Sequence, residues 1–285
     1  MNPDTKQPCV SIILPASGSA DALAISLESL LYQTFTDIEI LLIDDGSCGF
    51  PGEIQPLLKD PRILVIRNQE QSGTARALNT GISAARGDLV GFAGTGDAWD
   101  AGRLEEKVAC FSRLSGEYGV VYSDVWEVTP AGNRAYRHSP DMDNPLLLNE
   151  YATDFQAADL GTDLILVRRS VLEKAGLFDE QLGVFAGTDM IIRLRRLCRF
   201  HHIGKPLCHR RSTPDFSDTP VDTSIARLLL LQKYPEVLHN PLFVAQQAEL
   251  IRRALWKARG DVPPSHAPDA PETEPGYYRQ PVPEL

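Results

Sequence analysis

The chain has 285 residues, 43% of them hydrophobic and 23% charged, a globular balance long enough for one large α/β domain with a sizeable core. A formal net charge of -10 excludes a general nucleic-acid binder, which needs a basic face. No run approaches the ~18 apolar residues of a spanning helix, the start lacks the basic and apolar regions of a secretory signal, and five scattered cysteines fit a reduced, cytoplasmic setting.

Val10 to Leu14 is a short apolar run closed by Pro15, which reads as a buried strand. From Asp21 to Gln33, Leu23, Leu27, Leu30 and Leu31 recur at helical spacing. Ile38 to Ile43 is a second strand, ended by Asp44-Asp45-Gly46-Ser47. A short helix is expected over 52–58 and a third strand over 63–66. Residues 74–85 form a helix with Ala75, Leu78, Ile82 and Ala85 on one side, and 88–92 a fourth strand. Strands alternating with helices predict parallel β-α units and a sheet covered on both faces. Ligands of such sheets bind beyond the carboxyl ends of the strands, where Asp44, Asp45 and Asp97 fall.

The second half is less regular. Helices are expected over 103–114, 170–175, 189–198, 225–234 and 242–259. Strands are expected over 119–128, 164–167 and around His202–Gly204. Beyond Gly260, seven of the 21 prolines fall in the last 25 residues, the composition of a disordered tail over 261–285. Residues 1–8 are expected to be disordered as well. Cys198, His201, His202, Cys208 and His209 do not follow a C-x₂-C zinc spacing.

The stretches "VSIILPASG", "IEILLIDDGS", "DPRILVIRN", "GTARALNTGISAARGDLVGF", "GDAWDAGRLEEKV", "VYSDV", "LVRRSVLEKAGLFDEQL" and "TDMIIRLRRL" occur in that order. The set resembles the family 2 glycosyltransferases over roughly residues 9 to 211. The resemblance implies the GT-A fold, an α/β architecture with a mixed, mainly parallel central sheet flanked by helices. It implies a domain over 9–215, with a nucleotide-binding half (9–100) and an acceptor half (101–215), followed by helices over 216–260. The implied activity is transfer of a sugar from a nucleotide-diphosphate donor to an acceptor hydroxyl with inversion, as in polysaccharide biosynthesis. The acceptor is a glycan, a lipid-linked sugar or a protein.

Carried onto this sequence, the family pattern gives Pro15, Ala16, Asp44, Asp45 and Ser47 to the nucleotide, with Arg76 and Asn79 approaching from the following helix. A carboxylate at a strand end accepts from ribose hydroxyls or a base N–H, although Asp and Gly also dominate plain turns. The family's F-L-D-x-D-D stretch reads Phe92-Ala93-Gly94-Thr95-Gly96-Asp97 here. Gly94 and Gly96 replace two acids, so a divalent cation (Mg or Mn) would be held mainly by Asp97, and weakly. Asp97 serves equally as a cap for the helix that follows.

Further on, Ala186 and Gly187 fall where the family's Glu-Asp pair is expected. Asp189 is then the nearby carboxylate, as catalytic base or as the N-cap of a basic helix. Arg210 and Arg211 fall near the expected diphosphate, where arginine neutralises a leaving nucleotide, and His209 falls near the metal or acceptor. Homodimerisation and peripheral membrane contact are both open to the terminal helices, where Arg252, Arg253 and Lys257 are too few cations to decide between them. The altered acids leave a second reading open, a catalytically impaired GT-A domain that binds a nucleotide sugar or a partner.

Overall fold

The computed structural model describes residues 7–44, 50, 52, 54–68, 73–129, 132, 134–137, 142, 160–211, 220–235, 248, 249, 251, 252 and 255. Asp45 and Ser47 of the expected nucleotide site, the proposed tail at 261–285 and most of 242–259 lie outside them.

The apolar runs become the sheet. β1 (Val10–Ala16) and β2 (Ile38–Asp44) are buried at every position, as strands covered on both faces must be. β3 (Ile63–Arg67) and β4 (Leu89–Phe92) complete a parallel quartet in the order β3-β2-β1-β4. α1 (Ala20–Leu31) starts on Ser19, whose side chain accepts from the Ala22 N–H, and α2 (Gly73–Ala84) packs on β1 and β2. Residues 52–58, expected as a helix, instead turn into a short 3₁₀ segment at Leu57–Lys59.

The second half departs from β-α alternation. β5 (Ala98–Trp99) leads into α3 (Arg103–Phe111), and β6 (Tyr118–Val128) carries β7 (Arg134–Arg137) on one side. β8 (Ile165–Arg168) runs antiparallel to both β4 and β6, joining the two halves. α4 (Arg169–Ala175) stops at Gly176, which takes φ +83° and donates its N–H to Leu172, a left-handed cap open to glycine. α5 spans Ala186–Arg195, three residues ahead of the expected start, and α6 spans Pro220–Lys233.

The expected short strand at His202 proves to be the middle of β9 (Arg199–Arg211), thirteen residues long. β9 lies parallel to β6, with register shifts on either side of Asp124, and antiparallel to β5, pairing Ala98 with His209. Irregular pairing of this kind re-aims side chains beside a site, here the run from Cys208 to Arg211.

Candidate active site

β1, β2 and β4 end at one rim. Asp44 is the last residue of β2, buried, opposite Ala16 and 3.5 Å from the Arg67 guanidinium. Pro15 offers its carbonyl to the Thr95 hydroxyl at 2.7 Å, and Ser17 donates to the same hydroxyl at 3.4 Å. The loop after β4 is thus fastened to the end of β1.

That loop is a tight turn. The Asp97 N–H bonds Gly94 O at 3.2 Å, and Gly96 has φ +95°, a conformation glycine adopts at no steric cost. Ser26 of α1 donates to Gly94 O at 3.0 Å and accepts from Gly96 N–H at 2.9 Å. Asp97 points inward and is 6% exposed. A Cβ on Gly94 would stand 2.6 Å from Asp97 Oδ2, so this glycine is what lets the carboxylate fold back.

Inside, Asp97 meets Asp163, Arg210 and Arg103, and accepts from the Arg211 backbone N–H. Burial first, then the Asp163 charge, push its carboxyl up to about 7 against the pull of the two guanidiniums. Arg210 gives Nε (2.9 Å) and Nη2 (2.7 Å) to Asp163 Oδ2. Arg103 is fully buried, lies 4.0 Å over the Trp99 ring, and donates Nη2 to the Asp163 carbonyl. Its Nε and Nη1 have no hydrogen-bond partner among the described residues. Lys107, one turn on and also fully buried, donates to Leu164 O, and burial depresses its ammonium well below the usual lysine range. Close packing matters here too, because a Cβ on Gly161 would meet Asp163 Oδ1 at 2.1 Å and Arg210 Nη2 at 2.6 Å.

His209 lies beside this group. Its Nε2 is 3.3 Å from Asp100 Oδ1, and its ring stacks with Trp126. His202, by contrast, pairs with Asp124 at 2.7 Å. No three His, Cys, Asp or Glu side chains among the described residues converge to hold a metal ion.

The remaining expected residues are committed elsewhere. Asn79 is 7% exposed and spends both amide donors on Phe178 O and Glu180 while accepting from the Phe178 N–H. Arg76 pairs with Glu180 at 3.0 Å on the surface. These bonds clamp α2 to residues 178–180. Asp189 is fully buried. Its Oδ2 accepts from Arg193 Nη2 at 2.7 Å, and its Oδ1 from Tyr234 Oη at 2.6 Å and Lys233 Nζ at 2.8 Å. Burial alone would raise this carboxyl, but bonds from Lys233, Tyr234 and Arg193 outweigh it and hold it below the usual range. A carboxylate so placed is a weak base with no open face. Arg211 ends β9 exposed.

The residues around Asp97 and Arg210 that sequence reasoning missed are Asp163, Arg103 and Ser26. Asp163 sits in a stretch without any motif, Arg103 reads as an ordinary helix start, and Ser26 is a small polar residue inside an amphipathic helix.

A mixed sheet, its first four strands parallel, with acids at one rim and a second half folded back against it, is the GT-A glycosyltransferase fold. Solved structures agree: S. aureus TarS 1-349 in complex with UDP-GlcNAc superposes with a TM-score of 0.62 at 15% identity, covering 88% of this chain and 72% of that one. The mannosyltransferase PcManGT from Pyrobaculum calidifontis, in complex with GDP-Man and Mn2+, gives 0.60 at 16% identity over 91% and 78%. The sequence profile of glycosyl transferase family 2 matches residues 11–176, and the chain belongs to that family. Among curated proteins it is 30% identical over 215 residues to the O-antigen biosynthesis protein RfbC of Myxococcus xanthus, which takes in 73% of this chain and 16% of that protein. It is 33% identical over 99 residues to the Escherichia coli UDP-Glc:alpha-D-GlcNAc-diphosphoundecaprenol beta-1,3-glucosyltransferase WfaP, over 35% of this chain and 39% of that protein. The chain therefore spans well under half the length of either relative.

Proposed function

We propose that this chain transfers a sugar, with inversion, from a nucleotide-diphosphate donor to a hydroxyl of a growing glycan or lipid-linked sugar. The observation that carries this reading is the line of strand ends from Asp44 on β2, past Pro15 and its bond from Thr95, to the Asp97–Asp163–Arg210 cluster beside β9. In this arrangement Asp44 receives the nucleoside, with Asp45 and Ser47 beside it in sequence. Arg210 and Arg211 receive the diphosphate, and the leaving nucleotide departs against their charge. Names of relatives such as RfbC and WfaP support surface-polysaccharide assembly and an undecaprenol-linked acceptor.

One observation favours a second reading. With Asp189 enclosed by Arg193, Lys233 and Tyr234, a general base is lacking at the position the family pattern suggests, and losing such a base costs about 10² to 10⁴ in rate. A nucleotide-sugar-binding module follows from that. Calorimetric titration of the whole chain with UDP-glucose, UDP-GlcNAc and GDP-mannose, followed by nucleotide-release assays with undecaprenol-linked acceptors, separates the readings. Binding with turnover supports the transferase, binding without turnover the module, and no binding of any donor removes both.

A further inference from the structure

The GT-A neighbour PcManGT was solved with Mn2+, but the residues present here fit such an ion poorly. Magnesium and manganese seek oxygen ligands, usually one or two carboxylates open to the substrate's phosphates and to water. This loop supplies a single carboxylate, and Asp97 is turned away from solvent into a pocket that holds two guanidiniums. Gly94 and Gly96 contribute no side-chain ligand. An aspartate at 94 would need the space that the Asp97 carboxylate occupies, since even a Cβ there comes within 2.6 Å of it. Positive charge is already built in. Arg210 is fixed through Nε and Nη2 to Asp163, and Asp163 is fixed in turn through its carbonyl by Arg103. Arg210 Nη1 has no partner among the described residues. The β5–β9 pairing sets Arg210 next to the residue opposite Ala98, directly after Asp97.

We infer that this chain binds its nucleotide diphosphate without a divalent cation, the guanidinium of Arg210, buttressed by Asp163 and Arg103, serving as the permanent counter-charge. The inference rests on the donor-binding reading above. With Nε and Nη2 bonded to Asp163, the outer N–H groups of Arg210 are what would give charge-assisted bonds to phosphate oxygens, and a guanidinium cannot be removed by chelators.

The test is calorimetric titration of the full chain with UDP and with GDP, in EDTA and in MgCl₂ or MnCl₂. Manganese alone is titrated separately and read by the EPR signal of the free ion. The expected result is a nucleotide Kd in EDTA within about threefold of that in metal, and no uptake of manganese by the protein alone. Arg210→Ala should weaken UDP or GDP by about tenfold or more, which is ~1.4 kcal/mol. Arg210→Lys, which keeps the charge and gives up the fork, should recover part of that loss. Circular dichroism melts of both variants confirm that the fold is retained. Should Arg210→Ala fail to fold, Arg210→Lys in EDTA carries the comparison. Nucleotide binding that appears only with magnesium or manganese overturns the inference and leaves the donor-binding reading standing. Absence of binding in every buffer overturns both.

Discussion

At the scale of single residues, Asp97 is the unusual group. Its carboxyl is raised to about 7 by burial and by Asp163, so the folded chain holds a proton there that the unfolded chain gives up near 3.9. The sign follows: the native state binds more protons between those values, and its stability falls as pH rises through that window. Asp97→Asn removes the titration. The melting temperatures of variant and parent should be closest at pH ~4 and below, with the variant gaining as pH rises to about 7 and the gap level above that; parallel curves would refute the assignment. This part of the site was half legible. Asp97, Arg210 and the two glycines are visible in the sequence as departures from an acidic motif. What the glycines accomplish is not visible, because the 2.6 Å approach of a Gly94 Cβ to Asp97 exists only once the turn has closed. Asp163 is 66 positions from Asp97, and no local periodicity links them.

At the scale of elements, α5 and α6 are joined through one carboxylate. Asp189 at the first turn of α5 collects Arg193 from its own helix and Lys233 and Tyr234 from the end of α6. Removing the carboxylate leaves the buried Tyr234 hydroxyl without its acceptor and takes one partner from the part-buried Arg193, while Lys233 is exposed and keeps Asp179, and losses of this kind run to about 1 to 3 kcal/mol. Asp189→Ala should therefore unfold at markedly lower denaturant, while Tyr234→Phe, which takes away one charge-assisted bond, should cost about 1.5 to 3 kcal/mol. Because the Asp189 carboxyl is held below its ordinary value, the stabilisation is present above pH ~4 and disappears as pH falls through the lower folded value. An acid denaturation midpoint unchanged in Asp189→Asn would count against this account.

α1, α2, α3 and the first four strands were readable here because each carries its own apolar rhythm, whereas residues 52–58, expected as a helix, were not. β9 was readable only at its middle, around His202–Gly204, because Arg199, Lys205 and Arg210 give its ends the polar look of a loop, and their strand character comes from lying between β6 and β5. The three-residue error at the start of α5 has a similar source. Ala186 and Gly187 carry no cap signal, and Asp189, which resembles one, is spent inside the helix.

At the scale of the whole molecule, a buried stabilising cluster lies at the end of the sheet opposite the proposed donor site. At the amino-terminal ends of the strands, Glu39 on β2 accepts from Ser11 at 2.6 Å and from Arg86 through its backbone N–H at 2.9 Å and its guanidinium at 2.7 Å, and Ser11 accepts from the Gly87 N–H at 2.8 Å. This buried cluster ties β1, β2 and the approach to β4 together, far along the strands from Asp44 and Asp97. Glu39→Ala, which takes the acceptor from Ser11 and the Arg86 N–H while the Arg86 guanidinium is half exposed, should lower stability by roughly 1 to 3 kcal/mol and leave the Kd for UDP or GDP within about twofold of the parent. A large loss of nucleotide affinity with an unchanged melting temperature would contradict that division.

The short β5–β9 pairing carries one more implication. It couples the turn that contains Gly94 and Asp97 to the strand that contains Arg210, and Asp163 locks the coupling from the side. Positions 94, 97, 163 and 210 are thereby physically coupled to one another. Descendants of an ancestor with this arrangement should exchange these four residues together or not at all, and a lineage that regained an acid at 94 should be found to have surrendered its arginine at 210.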